Sequence, residues 1–262
     1  MCRVGYHKKY ITMNISDPLT NAFTAGQRGR TGFMRYYFLF LGILYVVVAL
    51  VGFTPSYQAH FAGQYHIFPI AHIHGSLMAI LLFLFVAQTY FVASNNIPLH
   101  RKFGMASLFI APLAWISMLL ATRRPLVAEV LPIDHFLFDV LLVQLMLIIL
   151  FPLLFVWGML SRRKPQIHKR VMVFLIVIIL QVAIDRMRWL HSFNLPKHFG
   201  SDIYVYLLLL PLLIFDLITL HRIHKTTLIC LAILMAAHFG VSLLFESPGW
   251  HKFAFNVTNS MR

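Results

Sequence analysis

Acidic side chains are scarce: 8 Asp and Glu stand against 22 Lys and Arg in 262 residues, and charged residues of both signs make up only 11% of the chain. That is far below what a water-facing surface carries, which excludes an ordinary soluble domain. Cysteine is nearly absent as well. Cys2 and Cys230 are too few for a disulfide framework or a thiolate metal cage. There is no Gly-rich phosphate loop, no His-Glu-x-x-His pair and no long polar segment, so an ATPase or an intramembrane zinc protease has no foothold. A serine hydrolase of the membrane would want a Gly-flanked Ser at mid-span, and the sequence offers none. No fixed-period repeat and no low-complexity linker interrupts the chain.

Apolar residues fill the space left by charge. The chain is 60% hydrophobic, with 24 Phe and a mean hydropathy of +0.77. A helix rises about 1.5 Å per residue, so roughly 20 apolar residues cross a hydrocarbon core of about 30 Å. Seven runs of suitable length appear, at approximately 34–53, 74–94, 104–121, 136–160, 169–188, 202–220 and 226–246. Stretches such as Phe138 to Met159 are continuously apolar rather than alternating, which favours helices over a membrane barrel. The expected architecture is all-α, a polytopic bundle of about seven transmembrane helices. It divides into a polar segment 1–33, a membrane domain 34–246 and a short tail 247–262. Pro112, Pro152 and Pro211 fall inside spans, where each removes a backbone donor and kinks its helix.

The formal charge of +14 is one that nucleic acid would attract, but its distribution points to membrane topology instead. With the N-terminus inside, most Lys and Arg fall on the cytoplasmic side: Arg35, Arg101, Lys102, the Arg162-Arg163-Lys164 turn, Lys169, Arg170, Arg222 and Lys225, with those of the N-terminal segment. The first outer loop, Thr54 to Ile73, has none. The C-terminus is then outside, and nucleic acid is not an expected partner. The first 30 residues lack the apolar stretch of a signal peptide, and Met13 and Met34 stand as alternative starts.

The 14 histidines are the most informative feature, because imidazole near hydrocarbon needs a partner and is the commonest side-chain ligand of metals and haem iron. The second span opens with His72-Ile73-His74-Gly75-Ser76, the third with His100-Arg101-Lys102-Phe103-Gly104. The fourth opens with Asp134-His135-Phe136-Leu137-Phe138-Asp139, and the fifth with His168-Lys169-Arg170. On the expected topology His74 and His135 lie at the outer side, His100 and His168 at the inner side. Within the spans Asp139 and Asp216 are the deepest acids, costly there unless paired or protonated. Asp139 shares a helix face with His135 and suits a role orienting that imidazole.

This two-by-two arrangement resembles the ascorbate-dependent transmembrane dihaem cytochrome b family, over roughly residues 72–175. The resemblance implies a four-helix core holding two haem b groups and passing electrons across the membrane. It would make His74 with His135, and His100 with His168, the axial pairs, with His72 the alternative to His74 and with Arg101 and Lys169 near haem propionates. More loosely, the H-x-H-G opening and the His-Arg-x-x-Gly opening resemble those of uncharacterised bacterial multipass proteins, which implies a bacterial inner-membrane setting.

Three functional classes therefore fit the sequence. The first is a haem-bearing electron carrier of the lipid bilayer, served by a quinone or another electron donor. The second is a divalent-metal or proton-coupled transporter in which His60, His66 and His191 gather an ion beside His72 and His74, with Asp139 and Asp216 on its path. The third is a non-catalytic accessory subunit of a larger membrane complex.

Overall fold

The computed structural model describes residues 18–64, 66–127, 135–187, 189–190 and 202–260, the side chains of 18–31, 33, 124–127, 135 and 136 excepted. The described residues form eight helices and no strand: α1 (Pro18–Phe61), α2 (Pro69–Ala93), α3 (Ile97–Val127), α4 (His135–Leu160), α5 (Pro165–Asp185), α6 (Asp202–Leu220), α7 (Lys225–Leu244) and α8 (Pro248–Ser260). Seven of them, α1 from Met34 through α7, are long and apolar enough to cross a membrane. The chain is thus an all-α multipass membrane protein, as its composition predicts.

Successive spans run up and down. Arg35 at the start of apolar α1 donates to the carbonyl of Ala93 at the end of α2, while Tyr57 near the end of α1 meets His72 at the start of α2. His74 reaches Ser117 in the last turns of α3, and Glu246, just past α7, donates its backbone N–H to Asp139 at the start of α4. One end of the bundle, the basic end, therefore carries the α2–α3, α4–α5 and α6–α7 turns. The opposite end carries the turns between α1 and α2, α3 and α4, and α5 and α6, together with α8.

At the centre stands α5, packed against α1, α4, α6 and α7 and buried over most of its length. Gly52 explains the close approach of α1: a Cβ there would overlap the backbone carbonyl of Ala183, and small residues let membrane helices meet backbone to backbone. Lipid-facing residues such as Phe40, Phe83, Phe109 and Phe239 are correspondingly exposed, since hydrocarbon takes the place of water around them.

The helix ends follow local chemistry. Pro69 and Pro165 each occupy the first turn of a helix, where a missing N–H costs nothing. Asn95 takes φ 60° to end α2, and the side chain of Asn96 accepts from Leu99 N at 3.2 Å to begin α3. The first span runs longer than its apolar core suggests. Helix α1 continues through Pro55 to Phe61, so the expected loop from Thr54 shortens and His60 sits on the last turn of a helix. Polar residues beyond the hydrocarbon can remain helical, and Thr54 ties its hydroxyl back to Leu50 O at 2.6 Å.

The intramembrane prolines open the backbone, and at Pro152 a neighbour answers. Pro152 cannot donate to Ile148 O, and Trp115 Nε1 from α3 donates there instead, at 2.9 Å. Pro211 in α6 leaves open the carbonyl of Leu207, whereas Tyr37 donates to Pro211 O at 2.6 Å and Tyr45 to Leu208 O at 3.1 Å, bonds that tie α1 to α6 nearby. The segment after α7 is a helix rather than a plain tail. Ser247 Oγ accepts from Trp250 N at 3.2 Å and Pro248 starts the helix, so α8 lies on α4 through Trp250 and Ala254.

Candidate functional site

Two histidines expected to act together do meet. His100, in the first turn of α3, and His168, in the first turn of α5, place their rings 6.4 Å apart, centroid to centroid, with planes at 84°. His168 is locked from behind. Its Nδ1 lies 2.8 Å from Gly158 O, one of the last carbonyls of α4, which a helix end leaves without an intrahelical donor. A carbonyl only accepts, so Nδ1 carries the proton and a neutral ring keeps Nε2 bare. That tautomer is the one metal-ligating histidines adopt.

The same region contains polar atoms with nothing to bind. His100 Nδ1 and both Gln88 side-chain atoms, Oε1 and Nε2, are buried with no hydrogen-bond partner among the described residues. Gly104 faces Gln88, and a Cβ there would lie 3.9 Å from its amide atoms. Gln88 and His100 thus bring unsatisfied polarity from α2 and α3 to the basic end, beside His168 of α5, a costly arrangement for buried groups unless something completes it.

At the opposite end His74 is set in the same way. Ser117 Oγ gives its proton to Ala114 O at 2.7 Å and so accepts from His74 Nδ1 at 3.0 Å, again leaving Nε2 bare. The His135 side chain, its expected partner, lies outside the described residues, as does all of His191. His72 points elsewhere, toward α1, with Tyr57 5.9 Å and His60 5.3 Å away between ring centroids. His66 joins His60 at 6.0 Å. These three rings gather between α1 and α2, but His60 Nδ1 already accepts from Ile67 N at 3.3 Å. Among the described residues no three ligating groups converge on one ion's position.

The buried acids are engaged in contacts that the sequence did not reveal. Asp139 Oδ1 meets His251 Nε2 at 3.0 Å and accepts from Glu246 N at 3.0 Å. The imidazole it holds among the described residues is therefore the one on α8. Asp216 is fully enclosed with Arg170: the Arg170 guanidinium donates to both carboxylate oxygens, Thr227 Oγ1 to Oδ2 at 2.6 Å, and His224 N to Oδ2 at 3.0 Å. Arg170 is thus a core residue at 0% exposure, not a surface anchor. Lys169, beside it, lies over the rings of Phe38 and Phe215 at 5.1 and 4.5 Å.

A further network joins the same three helices toward the opposite end. Gln181 Nε2 donates to Asp202 Oδ1 at 3.3 Å, His238 Nδ1 lies 3.5 Å from Asp202 Oδ2 and 2.9 Å from Tyr206 OH, and His238 Nε2 meets Gln181 Oε1 at 3.3 Å. The cue was a polar residue within each apolar run; the partnership among them needs the fold. No family model, curated protein or solved structure matches the chain.

Proposed function

We propose that this protein is a membrane-embedded electron carrier whose basic end binds haem b between His100 and His168, with a second haem site at the opposite end using His74 and His135. One observation carries the reading: the 6.4 Å perpendicular pairing of His100 and His168. Imidazoles at that separation would both reach one iron set between them. The residues fit the group in a second respect, since His100 Nδ1 and the Gln88 amide are buried and unpartnered there.

In this reading His168 and His100 would hold the iron, and Gly158 O fixes the His168 ring so that it would offer Nε2. Bound haem would supply a reversible one-electron couple. The apolar helix walls around the two rings would tune its potential. Arg101, exposed at the same end, is a partner for a propionate, whereas Lys169 is taken up by two phenyl rings. The basic end faces the cytoplasm of a bacterial inner membrane by the positive-inside rule, and electrons pass from a quinone or similar donor. The transport reading draws less support, because Asp139 and Asp216 are both held in structural contacts.

The test is a reduced-minus-oxidised absorption spectrum of the detergent-purified protein, with metal analysis of the same sample. Soret and α bands that diminish in both His100→Ala and His168→Ala support the proposal. A colourless, iron-free protein expressed with ample haem overturns it.

A further inference from the structure

We infer that the lipid-facing side of α4 at the basic end is a specific seat for one anionic phospholipid, its phosphate held by Arg162 and Arg163 and an acyl chain lying in the groove beside them. A cavity of about 420 Å³ opens there, with Leu108, Phe155, Met159 and Leu160 as apolar walls and the two arginines at its mouth. A second, of about 370 Å³, continues along α4 past Pro152, Leu153 and Trp157 and shares Val156 and Leu160 with the first. A methylene is close in size to a water molecule, about 30 Å³, so the first cavity alone has room for on the order of ten of them.

Shape and charge point to the same occupant. The walls are hydrocarbon throughout, which fits an acyl chain and not a sugar or nucleotide. Arg162 and Arg163 are exposed, and neither guanidinium has a hydrogen-bond or ion-pair partner among the described residues. Asp216 is the only carboxylate placed at the basic end among those residues, and Arg170 consumes it. Two adjacent guanidiniums with no internal anion form a phosphate fork. Trp115 holds α3 to α4 through Ile148 O, one turn before Pro152 in the wall of the second cavity.

Native mass spectrometry of delipidated full-length protein, titrated with phosphatidylglycerol or phosphatidylcholine, tests the seat. Wild type should retain one phosphatidylglycerol in preference to phosphatidylcholine, and Arg162→Gln with Arg163→Gln should weaken it roughly ten- to thirtyfold. A control pair, Arg222→Gln with Lys225→Gln, removes equal charge from another turn at the same end and should change binding less than threefold. Val156→Trp, which fills the groove and keeps the arginines, should also weaken binding. Equal loss in the control pair would reveal diffuse attraction and overturn the proposal. Unchanged binding in Val156→Trp, or full competition by glycerol phosphate without acyl chains, would overturn it too.

Discussion

Trp115 and Ile148 are joined by a hydrogen bond that exists because of a third residue: Pro152 leaves Ile148 O without its helical donor, and the indole Nε1–H supplies one at 2.9 Å. In a bilayer no water substitutes for that bond. Pro152 and the tryptophan therefore form a unit that ties α3 to α4.

Trp115→Phe should destabilise the protein by about 1–3 kcal/mol, the cost of a buried unsatisfied carbonyl. Combining it with Pro152→Ala should recover part of that loss, because an alanine in place of the proline restores the backbone donor. Thermal unfolding in detergent of both singles and the double measures the coupling. Additive losses would show that the indole contributes only its bulk.

Asp216→Asn should cost more, on the order of 3–5 kcal/mol, since it leaves Arg170 buried without a counter-charge. Asp216→Glu, which keeps the charge at altered reach, should lose less. Yield of folded protein and denaturation midpoint check both.

Two glycines separate rigid from pliable packing. A Cβ at Gly52 meets the fixed carbonyl of Ala183, whereas one at Gly158 meets the terminal methyl of Met172, which can swing aside. Gly52→Ala should therefore destabilise by about 1–3 kcal/mol, and Gly158→Ala by clearly less. Parallel melting curves of the two variants decide it.

His224, between α6 and α7, caps α7 by accepting from Thr226 N at 3.1 Å. Burial, and then the nearby Arg170, hold its pKa below the usual 6.5. A histidine with a lowered folded-state pKa gives its full stability above pH 6.5 and loses it as the pH falls below that toward the folded value. His224→Asn keeps a capping side chain without the titration. Its melting temperature should fall less than wild type between pH 7.5 and 5.5, and parallel declines would count against the assignment.

How much of this could be read from sequence varies with the distance over which each feature is encoded. The spans are legible because apolar length is a local property, and Phe138–Met159 needs no neighbours to be recognised. Their ends are not, since Ser56–His60 continues a helix outside hydrocarbon where hydropathy no longer reports conformation. Helix α8 is announced by Ser247-Pro248, a cap followed by a first-turn proline, but its amphipathic pattern is too short to stand out from a tail. That His100 and His168 lie at one depth is legible, because each opens a span. That their rings meet is not, and the same holds for Arg170–Asp216 and Gln181–Asp202–His238: these residues sit on different helices, and no spacing along the chain encodes which faces turn together.

The order of synthesis gives the buried Arg170–Asp216 pair a role beyond the finished fold. Arg170 emerges 46 residues ahead of Asp216, so until the sixth helix is made the guanidinium has only the Gln166 oxygens of its own helix to meet. The bundle's centre is therefore complete only once the sixth helix is in place, because that helix carries the carboxylate the guanidinium meets.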